Sequence, residues 1–168
     1  MARDAVLIAS MYNTVYLGLG SNQGNREELL EQTVTLLVEK TGNLISRSSI
    51  MESEPWGFVS ENKFLNMVVA LETSLSPTRL LDVTQRIERQ LGRKHKSSAK
   101  LDYQDRPIDI DILLYGSRII HTTRLTVPHP LMLQRDFVWR PLLEIAPDIL
   151  WPLTGQPLRD VVGEADGD

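Results

Sequence analysis

The segment Pro107 to Tyr115, PIDIDILLY, leaves the backbone little choice of local structure. A period of two places Ile108, Ile110, Ile112 and Leu114 on one face of a strand and Asp109 and Asp111 on the other. A face this apolar belongs against a core, so the strand is expected to be central, with limited solvent on its second face. The two aspartates then share a small volume, being roughly 6.6 Å apart along the backbone. Like charges so placed oppose each other, and burying them without a cation is unfavourable. Either the pair grips a divalent ion, for which oxygen-only ligation suits Mg²⁺, or the strand is a solvated edge and both are surface residues.

The other elements are read around this strand. Thr14 to Leu19 reads as a strand entering a turn-forming cluster, Gly20 to Gly24. A helix follows, capped by Asn25 with Glu28 three residues on, and it runs to about Lys40 with Gly42 as its stop. Leu44 to Ser53 reads as one strand, Pro55 to Asn62 as a loop, and Phe64 to Thr73 as a strand with Leu65, Met67, Val69 and Leu71 on one face. Ser76 and Pro77 open a second helix that ends at Gly92. Beyond Gly116 the pattern predicts a short hairpin over Ser117 to Thr126, a proline-marked turn at Pro128 and Pro130, and a helix near Leu131 to Ile145. The order β, α, β, β, α, β favours an α+β fold: a mainly antiparallel sheet with a ferredoxin-like core and helices packed on its faces in α/β/α layers.

At 168 residues the chain fits one domain, 1–168, with 1–13 as an N-terminal tail. Without cysteine it has no thiolate metal site and no cysteine nucleophile, and the cytoplasm is the expected compartment. No apolar run approaches the ~20 residues of a membrane span. The net charge of −4 argues against nucleic acid as a partner. That charge is unevenly distributed. Between Arg86 and Lys100 stand Arg86, Arg89, Arg93, Lys94, Lys96 and Lys100 against Glu88 alone, a local +5 that leaves −9 elsewhere.

This basic segment lies directly before the aspartates, and Arg106 is three residues from Asp109. Cations beside paired carboxylates are the recurring apparatus of phosphoryl transfer; the same segment is also compatible with a solvated basic loop. Gly18, Gly20 and Gly24 form either a tight strand-to-helix turn or a phosphate loop, without a Walker A ending. His129, between two prolines, is either structural or a phosphate donor. Trp56, Phe64 and Phe137 suit a core as well as a flat ligand, for which Asn66 would be the polar contact.

The blocks YLGLGSNQGN, EPWG, FLNMVVALET, TQRIERQLGR, DRPIDIDILLYG and VPHP, in this order from Val15 to Leu158, resemble the 6-hydroxymethyl-7,8-dihydropterin pyrophosphokinase family of folate biosynthesis. The resemblance implies transfer of the β,γ-diphosphate of ATP to the pterin hydroxymethyl oxygen, with two Mg²⁺ ions held by Asp109 and Asp111. It further implies that Arg93 and Arg106 contact the ATP phosphates as catalytic residues and that His129 and Arg135 contact the triphosphate. Gln85, Glu88, Lys96 and Ile110 fall near the nucleotide. Phe64 and Phe137 would stack on the pterin, Asn66 would bond its edge beside Asp109, and Ser53 and Trp56 would lie on the loop closing that pocket. ATP and the pterin are the expected partners of a monomer.

The chain departs from the family pattern at Tyr103, Gln104 and Asp105, in a longer Lys94 to Asp102 loop, and in Phe64, which replaces tyrosine. Two competing classes are a ferredoxin-like module binding an anionic partner such as RNA, and an Mg²⁺-dependent phosphotransferase with another acceptor. The pair Phe64 and Phe137 with Asn66 favours a flat heteroaromatic acceptor.

Overall fold

A computed structural model describes residues 11–92 and 105–166. Its sheet has the order β2-β4-β1-β5 and is antiparallel throughout, built from β1 (Asn13–Ser21), β2 (Gly42–Arg47), β4 (Phe64–Thr73) and β5 (Asp109–Tyr115). The short β3 (Met51–Ser53) also pairs with β4. Helices α1 (Arg26–Lys40) and α2 (Pro77–Gln90) cover one face. There Leu30, Leu37, Leu80 and Ile87 meet Leu17, Leu19, Met67, Val69 and Ile110. On the other face α3 (Asp136–Ile145) and α4 (Leu158–Asp166) bring Trp139, Leu142, Leu158 and Val162 onto Val68, Leu113 and Leu114. The arrangement is the expected α+β fold with helices on both faces.

Local chemistry accounts for the boundaries. The Asn25 side chain accepts the Glu28 N–H at 3.2 Å to start α1, and Ser76 accepts the Arg79 N–H at 3.3 Å to start α2, with Pro77 in the first turn. The predicted strand Leu44 to Ser53 is in fact two. Between them Ser48 donates its N–H to the Val68 carbonyl and accepts the Val68 N–H on Oγ, both at 2.9 Å, so a side chain stands in for the ladder carbonyl. The helix expected near Leu131 to Ile145 is likewise divided. A 3-10 turn at Met132–Gln134 leads to extended Arg135 (φ −120°, ψ 98°), and α3 begins only at Asp136. The hairpin is present as β6 (Ile120–His121) against β7 (Thr126–Val127). Residues 1–10 of the expected tail lie outside the described residues.

Two expectations for β5 are corrected. It ends the sheet path and is not central. Its outer edge is covered: Glu88 of α2, 2% exposed, accepts the Ile110 N–H at 2.9 Å, and the Leu113 carbonyl accepts the His129 N–H at 3.0 Å. Two groups of the outer edge are thus occupied, and the aspartate side chains keep limited solvent although the strand is an edge. The alternation also breaks. Register shifts between Tyr16↔Leu114 and Leu17↔Ile112, so Leu113 is an extra residue and Leu114 joins the opposite core cluster from Ile112.

Gly42, predicted only as a helix stop, opens β2 opposite Thr73 of β4. A Cβ there would lie 1.9 Å from the Glu72 carbonyl oxygen and 3.2 Å from Thr73 Cα, both main-chain atoms that cannot rotate away. Gly42→Ala is expected to destabilise the fold by at least about 2 kcal/mol. Denaturant titration checks this; a loss well under half that size would show that β2 yields without cost.

Candidate active site

Asp109 and Asp111 project from β5 into an open cleft. Across the ladder they face Gly20 and Gly18 of β1, which in turn pair with Asn66 and Val68 of β4. Gly18 and Gly20 are therefore strand residues and not part of the strand-to-helix turn, where Gly24 alone takes φ +76°. Their role is to leave the cleft floor bare. A Cβ on Gly20 would stand 3.3 Å from Asn66 Oδ1 and 3.5 Å from the Phe64 ring, and one on Gly18 would stand 3.4 Å from Leu113.

The carboxylate side chains are 17% and 20% exposed, and each has a nitrogen group near it. Arg106 Nη1 lies 3.8 Å from Asp109 Oδ1, and His129 Nε2 lies 3.8 Å from Asp111 Oδ1. His129 follows the cis Val127–Pro128 bond. Its Nδ1 accepts the Leu131 N–H at 3.2 Å, which assigns the proton of the neutral ring to Nε2, the nitrogen turned toward Asp111.

The other half of the cleft is aromatic. The Arg106 guanidinium sits 5.4 Å from the Phe64 ring centroid, and Phe58 meets Phe64 edge-on at 6.2 Å. Arg135, 9% exposed, lies 4.4 Å from the Trp56 centroid and 6.0 Å from that of Phe137. Asn66 donates from Nδ2 to Ser53 Oγ at 2.8 Å and to the Met51 carbonyl at 3.0 Å. Those two acceptors fix the amide, so Oδ1 is presented over Gly20 as an acceptor.

One cleft therefore gathers Trp56, Phe64, Asn66, Arg106, Asp109, Asp111, His129, Arg135 and Phe137. Ser53 stands behind Asn66. Ile110 packs its side chain into the core on the opposite face, and Gln85 and Glu88 lie on α2 outside this cleft, Glu88 holding the Ile110 main chain. Arg93, Lys96, Tyr103, Gln104 and the 94–102 loop lie outside the described residues. Sequence reasoning missed Glu54, which lines the cleft, and the floor role of Gly18 and Gly20; their two-residue spacing matches that of the aspartates, a signal visible once the strands are paired.

Among the described residues no three His, Asp or Glu side chains converge as a metal cage. Two carboxylates on one wall of an open cleft nonetheless suit Mg²⁺, which takes one or two carboxylates and completes its shell from water and substrate phosphate. No helix of the described residues is long and apolar enough to cross a membrane.

The family model for 7,8-dihydro-6-hydroxymethylpterin-pyrophosphokinase (HPPK) matches residues 16–147. The 2-amino-4-hydroxy-6-hydroxymethyldihydropteridine pyrophosphokinase of Porphyromonas gingivalis is 50% identical over 134 residues, covering 79% of this chain and 90% of that protein. The protein of the same name from Aquifex aeolicus is 42% identical over 147 residues, covering 88% and 89%. A crystal structure of Plasmodium falciparum HPPK-DHPS aligns with a TM-score of 0.71 at 17% identity over 92% of this chain, which spans 44% of that one. This likeness shows a shared ferredoxin-like fold. By the family match and these identities, the chain belongs to the 7,8-dihydro-6-hydroxymethylpterin-pyrophosphokinase family and is an enzyme of the diphosphotransferase kind.

Proposed function

We propose that this chain transfers the β,γ-diphosphate of ATP to the hydroxymethyl group of 6-hydroxymethyl-7,8-dihydropterin, acting as a single domain that requires Mg²⁺. The observation that carries the reading is the meeting of two half-sites in one cleft. Aromatic rings and a fixed amide acceptor form one half, and paired carboxylates flanked by arginines and a histidine form the other. A flat heterocycle with N–H donors fits the first. Its edge N–H groups meet Asn66 Oδ1 while its faces meet Phe64 and Phe137.

The pterin oxygen attacks the β-phosphorus, the bond from that phosphorus to the α,β-bridging oxygen breaks, AMP leaves with that oxygen, and the hydroxymethyl proton passes to solvent. Asp109 and Asp111 would hold Mg²⁺, two ions in this reading, which supplies Lewis acidity and neutralises phosphate charge when bound. Arg106 and Arg135 take phosphate oxygens through their planar forks, and His129 donates its Nε2 proton to another. Arg93, Lys96, Gln85 and Glu88 belong to the nucleotide side of the same reading.

The test is a turnover assay with ATP, the pterin and Mg²⁺, separating AMP from ADP. AMP and pterin diphosphate are expected in equal amounts, with turnover lost on chelating the metal and restored by adding it back. ADP as the product, AMP formed equally well without the pterin, or turnover indifferent to chelation would overturn the proposal.

A further inference from the structure

Beside the cleft, Asp105 lies between asparagines from two distant segments. Its Oδ1 accepts from Asn22 Nδ2 at 2.7 Å and its Oδ2 from Asn62 Nδ2 at 3.0 Å. Asn22, only 2% exposed, also donates from Nδ2 to the Asn62 carbonyl at 3.2 Å. On its other side Asn22 brackets Arg106: it accepts the Arg106 N–H on Oδ1 at 2.8 Å and donates its own N–H to the Arg106 carbonyl at 3.1 Å. The turn after β1, the end of the β3–β4 loop and the segment leading into β5 thus meet at one carboxylate.

Without the Asp105 carboxylate the Asn62 side chain loses its bond, and the loop end is left with the Asn22 bond to the Asn62 carbonyl and the Arg26 bond to the Lys63 carbonyl. Arg106 keeps both main-chain bonds to Asn22 if Asp105 is changed. The loop over residues 54–63 has no regular structure of its own, and Val59 on it is fully exposed. Yet this loop brings Trp56 to the cleft and sets Phe58 against Phe64. The Asn62 bond is exposed to solvent, and its acceptor is a carboxylate, which binds an amide donor more strongly than a neutral acceptor does.

We propose that Asp105 is a positioning residue that fixes this loop through Asn62 and thereby sets affinity for the acceptor, without touching the reacting atoms. The proposal rests on the reading of the cleft given above and deepens it. Asp105→Asn places an amide where two donors converge, so at most one of the bonds survives. The variant is expected to raise the acceptor KM about tenfold while kcat and the ATP KM stay within about twofold of wild type. Asn62→Ala is expected to move the same constant in the same direction. The exchanged double variant, Asp105→Asn with Asn62→Asp, restores the pairing with its polarity reversed: the new amide at position 105 accepts from Asn22 and donates to the new carboxylate at position 62. Recovery of the acceptor KM to within about threefold of wild type is expected.

An unchanged acceptor KM in Asp105→Asn, equal effects on kcat and the ATP KM, or no recovery in the exchanged variant would overturn the proposal. Wild-type protein that forms no AMP from ATP in the presence of the pterin would instead defeat the functional reading itself. The two failures are therefore distinguishable in one set of assays.

Discussion

Asp109→Ala and Asp111→Ala are each expected to lower kcat by at least about a thousandfold, the scale of losing a group that supports charge at a reacting phosphate. The fold is expected to survive both changes. Each carboxylate points into the cleft opposite a glycine and belongs to neither core cluster, so removing it opens no apolar cavity. The nitrogen groups of Arg106 and His129 stand 3.8 Å from Asp109 and Asp111 in a cleft water can enter. The thermal midpoint should therefore move by no more than about 5 °C. Asn is the informative second substitution: it keeps the shape and one oxygen but loses the charge, and it should remain closer to Ala than to Asp. The measurement is AMP formation at saturating ATP and pterin beside a thermal melt. Near-normal turnover in either alanine variant would remove the metal-binding assignment.

What was legible in the sequence divides along physical lines. Asn25, Ser76 and Pro77 marked the helix starts because a capping side chain acts on N–H groups within three residues. The alternation in β4 identified Leu65, Met67, Val69 and Leu71 as one face, and these four do share one core cluster. The break at Ser48, the extra residue Leu113 and the extended Arg135 before α3 are set by tertiary partners, Val68 and β1 among them, which local pattern does not contain. The same limit explains the misplaced β5. An apolar face says that a strand lies on a core, and it does not say whether Glu88 and His129 or another strand cover its edge. Helix α4 did leave a signal: Leu158, Val161 and Val162 recur at helical spacing, and the first and last are buried.

The site was legible where chemistry concentrates on neighbouring residues and illegible where it depends on pairing. The spacing of Asp109 and Asp111 gave their shared face directly. The basic residues around them and the aromatic pair were single hints, each with an ordinary structural explanation. Pairing turned them into one cleft, and it gave Gly18 and Gly20 a function that a turn-based reading had missed. Asp105 stood out in sequence only as a departure from the family pattern, and its pairing with Asn22 did not, because a hydrogen bond between residues separated by 83 positions becomes visible only in the fold.

Arg106→Ala separates the two halves of the cleft. The guanidinium stands 3.8 Å from Asp109 and 5.4 Å from the Phe64 centroid, at the seam between the carboxylates and the aromatic wall. Its main chain is held by Asn22, so removing the side chain leaves the segment in place. If Arg106 serves the phosphates, its interaction is greatest when charge develops in transfer, and kcat is expected to fall by about a hundredfold to a thousandfold. The acceptor KM is expected to change by less than about fivefold, because loss of the cation–π contact also uncovers the face of Phe64 for the acceptor. Arg106→Lys keeps the charge without the planar fork and should fall between the two. A loss confined to the acceptor KM, with kcat intact, would place Arg106 on the aromatic side of the cleft and leave the phosphates to Arg135 and His129.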